Sequence, residues 1–420
     1  MHRTGVIAAA SACIAGAMLH FACSSSSAGV NAQTPPLDAG NLDVDLDAPV
    51  VGEAAAPPSG YDGGLGLGLA DVADTPCSKR GGTLTPVIAA NDASAAAPRW
   101  HNLHAFGSRL VADATDQSGF VVFDSSGANA KVVSSPLASG GTTTLGNAIV
   151  GAGSADGLIA AAQPFDSNGG AIGMPIPVAG EDPEGLAIGS DGTTALMVWS
   201  NFQNLRARGV SAMGALGMGP YDLAVSAPVN DPSVAVSFVK QDLYAVVFSG
   251  NDTGTTYQTA FGRGSSTQRV GDPSNLFRGL VARTVVGLAR TAKGFALVVA
   301  VSDGPKTYGM LVLMDVGGHR TSAGLKLLGT IDTTAVAVNG DTIGVLATRN
   351  AAGMGATVEF RPFGADGTPL GPWVCLDDLG SDTDLGGGLA PDGNGFVAIF
   401  RSKDGADSLA RFDHLGTGAP

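Results

Sequence analysis

The sequence has few charged side chains, and basic residues are the scarcer kind. Only 14% of the 420 residues are charged, and 23 Lys and Arg stand against 37 Asp and Glu, which gives a formal net charge of −14. Proteins that bind nucleic acid neutralise phosphates with clustered Lys and Arg. The sequence contains no such basic cluster, so it argues against nucleic acid as a partner.

The sequence also lacks the short motifs that carry catalysis. It has no Gly-x-Ser-x-Gly elbow and no phosphate-binding Walker loop. Ser237 and Lys240 match a Ser-x-x-Lys pattern, but apolar alternation around them predicts a strand, and we attribute the match to chance. We therefore assign no catalytic residue. Aromatic residues make up 6% of the chain and glycines number 62, a composition that favours strands and tight turns.

The N-terminus has the organisation of a secretory signal. Arg3 supplies a short basic lead, and residues 5–22 are mostly apolar. A transmembrane anchor is the alternative, because a run of this length just spans a bilayer. The run is rich in Ala and Gly, however, and no basic cluster follows it. The sequence therefore predicts a signal peptide over residues 1–22.

The end of that apolar run resembles a bacterial lipobox. The residues "LHFAC" place small Ala22 directly before Cys23, although His20 and Phe21 depart from the usual pattern. The resemblance implies cleavage before Cys23 and attachment of a diacylglycerol to its thiol, so that the lipid bilayer is a partner through Cys23. Ser24 follows, and in Gram-negative lipoproteins this resembles the outer-membrane default.

Cleavage by an ordinary signal peptidase is the other interpretation. Val30, Asn31 and Ala32 offer small residues at suitable places, and cleavage after Ala32 would release a freely secreted protein. The polar run after Cys23 favours the lipoprotein, because a lipidated terminus needs a spacer. We therefore predict an outer-membrane lipoprotein, facing the periplasm or the surface, with secretion as the alternative.

Residues 23–76 are predicted to be a disordered tether. This segment is rich in Pro, Gly, Ala and Asp, and residues 24–76 hold eight acidic side chains and no Lys or Arg. Asp43, Asp45 and Asp47 alternate as in a calcium loop, but the glycine and distal glutamate of an EF-hand are missing. We interpret them as an acidic linker. Tethers of this composition resemble those of lipoproteins from myxobacteria-like bacteria.

From residue 77 onward the chain repeats a hairpin pattern. Two apolar runs surround a short Gly, Asp or Asn turn, as in "GLAIGSDGTTALMVWSN" and "GGLAPDGNGFVAIFRSK", and a third and fourth run follow. Four strands in about 45 residues resemble the blades of a β-propeller. The seven units begin near Leu103, Asn147, Gly185, Ser233, Val285, Thr334 and Gly387.

The repeats therefore predict an all-β domain over residues 77–420, a β-propeller of seven four-stranded blades. Six or eight blades, a pair of β-sandwiches and a β-helix are the alternatives. The last unit is too short for an outer strand, and residues 82–90 have no place in the first blade. Because closure removes an exposed sheet edge, we predict that residues 82–90 form the outer strand of the last blade.

Two cysteines remain once Cys13 is removed with the signal and Cys23 is lipidated. Cys77 precedes the closing strand, and Cys375 lies in the outer strand of the penultimate blade. In a closed ring these positions are neighbours, and disulfides persist in exported proteins. We predict a Cys77–Cys375 disulfide, with two buried thiols as the alternative. No further ligands cluster nearby, so a metal site is disfavoured.

A few polar and aromatic side chains are candidates for other roles. Four carboxylates in one loop form a weak calcium candidate, for which a solvated acidic loop is the simpler interpretation: Asp377, Asp378, Asp382 and Asp384. Otherwise we predict neither a metal nor a cofactor. His101 and His104 flank the first inner strand and could line a channel or bind metal, though a structural role is favoured. Trp199, Phe248 and Phe400 occupy equivalent places, which predicts packing between blades.

These observations favour an exported, lipid-anchored envelope protein that acts as a binding or scaffolding module. The partner is an unknown envelope protein or glycan, and we expect a monomer. An extracytoplasmic propeller enzyme, such as a glycan hydrolase or lyase, is one alternative. A freely secreted structural protein is the other.

Overall fold

A computed structural model describes most of the repeat region. The described residues are 77–79, 84–87, 100–114, 119–138, 140–201, 204–224, 233–251, 257–277, 282–303, 306–331, 333–351, 355–380, 387–401 and 407–417. The predicted signal peptide, Cys23 and the predicted tether lie outside these residues. Within the described part, no helix is long and apolar enough to cross a membrane.

All regular structure in the described residues is β-strand. The first strands are β1 Ser78–Lys79, β2 Thr85–Pro86, β3 Trp100–Phe106, β4 Arg109–Ala114, β5 Gly119–Asp124, β6 Lys131–Ser134, β7 Thr142–Leu145, β8 Ala148–Ala155, β9 Ile159–Phe165, β10 Ile176–Ala179, β11 Glu184–Ser190, β12 Thr194–Ser200, β13 Leu205–Ser211 and β14 Tyr221–Ala224. The remainder are β15 Ser233–Lys240, β16 Leu243–Asn251, β17 Tyr257–Gly264, β18 Ser274–Phe277, β19 Ala282–Thr291, β20 Gly294–Asp303, β21 Lys306–Asp315, β22 Arg320–Thr330, β23 Thr333–Asn339, β24 Thr342–Ala351, β25 Gly355–Gly364, β26 Val374–Gly380, β27 Gly387–Asp392, β28 Gly395–Arg401 and β29 Asp407–Asp413.

These strands form seven antiparallel sheets, which are the blades of a β-propeller. Blades 1 to 6 consist of β3–β6, β7–β10, β11–β14, β15–β18, β19–β22 and β23–β26, and blade 7 contains β27–β29. The first strands of neighbouring blades contact one another around a full cycle that closes between β27 and β3. The predicted seven-bladed propeller is confirmed.

The start of the second blade differs from the prediction. Asn147 lies in the turn between β7 and β8, and the inner strand is Thr142–Leu145. The apolar run after Asn147 forms the second and third strands. The inner strand, "TTTL", was missed because three of its four residues are polar threonines, so it has no apolar run of its own.

The N-terminal segment closes the ring, as predicted. Thr85 pairs with Leu409 and Pro86 with Ser408, so β2 is the outer strand of blade 7. The backbone N–H of Val87 extends this pairing by donating to the carbonyl of Asp407 at 2.9 Å. In addition, β1 lies parallel to β26 and makes blade 6 five-stranded, which the sequence did not predict.

The hydrophobic core lies between successive blades. Successive side chains along each second strand point to opposite faces of the blade. One face packs on the preceding blade and the other on the following blade, so every blade takes part in two core clusters. Trp199, Phe248 and Phe400 are buried at equivalent positions of β12, β16 and β28, and their predicted packing role is confirmed.

One turn recurs directly after the third strand of six blades. Its pattern is x-x-x-Gly, in which the first residue accepts the N–H of the glycine and the glycine has a positive φ, a conformation that favours glycine. The turn glycines are Gly127, Gly169, Gly214, Gly318, Gly367 and Gly416. A Cβ would touch the preceding blade at Gly169, Gly214, Gly318, Gly367 and Gly416, so the turn also fixes the spacing between blades.

Candidate functional site

The topology gives the propeller two different ends. At one end the first strand of each blade turns into the second, and the third turns into the fourth; we call this the turn end. At the other end the second strand connects to the third, and the fourth leads into the next blade; we call this the loop end. In blade 1, for example, residues 107–108 lie at the turn end, and residues 135–138 and 140–141 lie at the loop end.

A β-bulge in the inner strand of blade 1 brings two histidines to one face. His101 pairs with Asp113, and His104 pairs with Val111. Three steps along β3 therefore match two steps along β4, so β3 contains one extra residue. Paired residues point to the same side of a sheet, which places His101, His104 and Asp113 on the same face of the blade.

Asn102 is the residue whose conformation makes the bulge. Its φ is +46°, a left-handed value that is uncommon for residues other than glycine. Leu103 points to the opposite face and packs in the core between blades 7 and 1. Backbone strain of this kind persists where the surroundings impose it, and it concentrates at functional positions.

Asp113 joins this face of blade 1 to blade 2. Its Oδ2 accepts the backbone N–H of Thr142 at 3.0 Å, and its Oδ1 accepts the hydroxyl of Thr142 at 2.6 Å. Asp113 and Thr142 are both buried. The two histidines therefore lie beside a carboxylate that is fixed by the first residue of the next inner strand.

The imidazoles, in contrast, have unused hydrogen-bonding atoms. Nδ1 of His101 and Nε2 of His104 are buried and have no hydrogen-bond partner among the described residues. Burial lowers the pKa of His104, the Asp113 carboxylate acts in the opposite direction, and His101 lowers it further. A neutral imidazole offers one donor and one acceptor, so this face can bind a polar group but holds no preformed nucleophile.

Several charged side chains at the loop end form hydrogen bonds and ion pairs with neighbouring strands. Glu181 accepts hydrogen bonds from the Trp199 indole at 2.8 Å, from the Asn201 amide at 3.0 Å and from the Arg206 guanidinium at 2.8 Å. Burial acts to raise the pKa of Glu181, but these three donors hold it below its usual value. This carboxylate is therefore a structural anchor.

Two further carboxylates repeat this arrangement. Asp407 accepts the Trp100 indole N–H at 2.7 Å and an Arg401 N–H at 3.3 Å, while burial raises its pKa. Glu359 and Arg349 form a buried ion pair at 2.5 Å. Removal of one partner would leave the other charge buried and uncompensated, so these side chains hold neighbouring strands in place.

The residues predicted from sequence fall into three groups. Cys77 and Cys375 form the predicted disulfide, with Cα atoms 5.3 Å apart. Asp377 and Asp378 belong to β26, whereas Asp382 and Asp384 lie outside the described residues, as does Cys23. Over the described stretches, no group of three or more His, Cys, Asp or Glu side chains is arranged to hold a metal ion.

Comparison with known proteins identifies the fold alone. No family model and no curated protein matches the sequence. The BP39L lectin from Burkholderia pseudomallei is similar in structure, with a TM-score of 0.56 and 14% identity over 76% of this chain and 96% of the lectin. This chain shares the β-propeller fold with that lectin.

Two more solved structures resemble the chain less well. The β-propeller domain of the Trilobed protease from Pyrococcus furiosus has a TM-score of 0.46 and 7% identity, covering 77% of this chain and 97% of that one. AztD from Citrobacter koseri has a TM-score of 0.41 and 13% identity, covering 77% and 85%.

Sequence reasoning named both histidines but missed their relation to Asp113 and Thr142. A spacing of three residues in a strand predicts opposite faces, and only the bulge at Asn102 reverses this. Asn tolerates the left-handed conformation better than most residues, so Asn102 between two histidines was the available signal.

Proposed function

We propose that this chain is an exported, lipid-anchored binding module of the cell envelope. The signal-like residues 1–22, the lipobox-like Cys23 and the acidic spacer support export and anchoring to the outer membrane. The closed ring and its disulfide suit a rigid module that presents a surface outside the cytoplasm.

The paired histidines of blade 1 are the observation that carries a binding role. Buried polar atoms in native proteins nearly always have partners, and an orphan needs an explanation. Nδ1 of His101 and Nε2 of His104 are such atoms, and a strained bulge brings them together. A ligand with hydroxyl or amide groups would supply the missing hydrogen bonds.

The ligand class that we propose first is an envelope glycan, and the second is an envelope protein. Sugar hydroxyls both donate and accept, which matches neutral imidazoles beside a carboxylate. The similar fold of a protein named a lectin supports testing glycans first. The interior of the inner strands is otherwise dominated by Val, Leu, Ala and Gly, which supports binding over hydrolysis.

A binding experiment with matched histidine variants tests this proposal. The processed protein is passed over immobilised envelope glycans and over separated envelope proteins, and affinities are measured for the wild type, His101→Ala/His104→Ala and His414→Ala. His414 is exposed at the turn end and serves as the control. We expect at least a tenfold loss for the double variant and wild-type affinity for the control.

Folding of each variant is checked by its circular dichroism and thermal unfolding, and His104→Gln provides a milder substitution. Equal binding by the wild type and the folded double variant would contradict the assigned site. Absence of binding to every glycan and envelope protein would contradict the binding role and favour a structural protein.

A further inference from the structure

The exposed apolar side chains of the propeller are unevenly distributed between its ends. Among the described residues, eight large apolar side chains are exposed, and six of them lie at the turn end: Met174, Met213, Met218, Phe238, Leu370 and Leu415. Leu158 lies at the loop end, and Val132 lies midway along the outer edge of blade 1. Single exposed apolar residues need no explanation, but their collection at one end of a protein marks a contact surface.

Five of the six lie in the segments that directly follow third strands, and two of these occupy one repeated position. Met213 and Leu415 each directly precede the positive-φ glycine of the recurrent turn. Met174 and Met218 each directly follow a later glycine of their own connection, Gly173 and Gly217. The hairpin geometry thus projects these side chains outward, and Met174 is 82% exposed and Met213 73%.

The chain enters the propeller at this same end. Strand β1 is parallel to β26, and Ser78 pairs with Val374 at the start of β26, immediately after the turn-end connection. The backbone therefore reaches Cys77 from the turn end. Residues 24–76 separate Cys77 from the predicted lipid attachment at Cys23.

The turn end exposes side chains of both charges, with Asp272, Asp341 and Asp366 among the acidic ones. Exposed basic side chains occur there at Lys131, Lys240 and Lys293. The Asp166 carboxylate is directed into its own turn, where it accepts the N–H groups of Asn168 and Gly170 at 2.8 Å each. Basic side chains near a membrane surface contribute favourably to its binding.

We propose that the turn end docks on a phospholipid bilayer, with Met174, Met213, Met218 and Leu415 entering the interface. The proposal rests on the proposed anchoring through Cys23, which keeps the turn end near the membrane and raises its effective concentration there. Docking by this end directs the loop end, where β3 begins at Trp100 and His101, away from the bilayer.

The exposed methionines are natural reporters of this contact, because peroxide converts an accessible thioether to a sulfoxide. The full chain is anchored to vesicles of phosphatidylethanolamine and phosphatidylglycerol, either by its native lipid or by coupling Cys23 to a maleimide phospholipid. Oxidation rates of Met174, Met213 and Met218 are measured by mass spectrometry and compared with those of the unanchored Cys23→Ala chain. Leu158→Met supplies a control thioether at the loop end.

We expect the three turn-end methionines to be oxidised at least threefold more slowly on vesicles, and the Leu158→Met reporter to be oxidised at an unchanged rate. Equal rates at all sites, or protection at the loop end alone, would overturn the proposal. Protection on native membranes but not on protein-free vesicles would also overturn it and assign the surface to an envelope protein. Chemical coupling supplies the anchor independently, so a failure of native lipidation leaves this test intact.

Discussion

Cys77 and Cys375 are separated by 298 positions in the sequence and form a disulfide at the outer edge of blade 6. The bond lies beside β1, the parallel strand that the N-terminal segment adds to this blade. The next strand of the same segment, β2, completes blade 7. One short stretch of chain therefore joins the last two blades, and the disulfide fixes its start.

Removal of this disulfide is expected to destabilise the closed ring. The loop-entropy model assigns about 5 kcal/mol to a crosslink over a loop of this length. Thermal unfolding of Cys77→Ser/Cys375→Ser should therefore occur at a clearly lower temperature than that of the wild type. A reductant should lower the wild-type unfolding temperature to that of the double variant and leave the variant unchanged. If the reductant also lowered the unfolding temperature of the double variant, its effect on the wild type would have a cause other than this disulfide.

Val87 tests the closure of blade 7 directly. It follows β2, is buried, and packs in the same core cluster as Trp100 and Leu409. Val87→Ala should reduce the free energy of unfolding in urea by about 2 kcal/mol, because it removes buried apolar volume. Hydrogen exchange in β29 should accelerate as well. Val132→Ala, at a position 47% exposed, should change stability by less than about 0.5 kcal/mol.

The recurrent turn predicts a difference between two glycines with positive φ. Gly318 has a φ of +84°, and a Cβ there would collide with the Phe261 ring of the preceding blade. Gly340 has a φ of +58° and open space around it. Gly340→Ala should therefore cost about 1 kcal/mol of stability from backbone strain alone.

Gly318→Ala should cost about 2 kcal/mol more than Gly340→Ala, because the ring of Phe261 has to move as well. Urea unfolding of both variants gives the comparison. Equal losses would contradict the view that this turn fixes the spacing between blades.

The histidine face predicts a specific sensitivity to acid. Burial keeps the pKa of His104 below its usual value, so the folded protein favours the neutral imidazole. The unfolded chain takes up a proton near pH 6.5. His104 therefore has no effect on the free energy of unfolding above that pH. As the pH falls from about 6.5 towards the folded pKa, protonation of the unfolded chain lowers this free energy.

Unfolding temperatures at pH 7.5, 6.5 and 5.5 measure this effect. The decline should be shallower for His104→Gln than for the wild type, while Val132→Ala, which removes no titratable group, should keep the wild-type dependence on pH. Asp113 and His101 are the titratable groups nearest to His104, and both remain in these variants. If the unfolding temperature depended on pH identically in all three proteins, the assignment of the acid sensitivity to His104 would be contradicted.

The blade count and the closure followed from the sequence because both depend on regular patterns. Alternating apolar runs specify the strands, and the short last unit specifies a missing outer strand. The inner strand β7 was not predicted, because it is rich in threonine and has no apolar run. The parallel strand β1 was not predicted either, because a strand of two residues has no periodicity.

The candidate site depended on contacts that no periodic pattern encodes. The pairing of Asp113 with Thr142 crosses from one blade to the next, and the face of His104 depends on one bulged residue. Sequence alternation assumes uniform pairing, so a single extra residue in β3 reverses its prediction. The x-x-x-Gly turns, in contrast, were present in the sequence at a fixed place in six units and could have located the blades independently.

The mass of the N-terminal peptide, measured on native protein from the membrane fraction, decides whether the propeller is anchored through Cys23. We expect a peptide that begins at Cys23 and carries the added mass of acyl chains. A peptide that begins at Gln33 without lipid would contradict this expectation and would make this propeller a freely secreted protein.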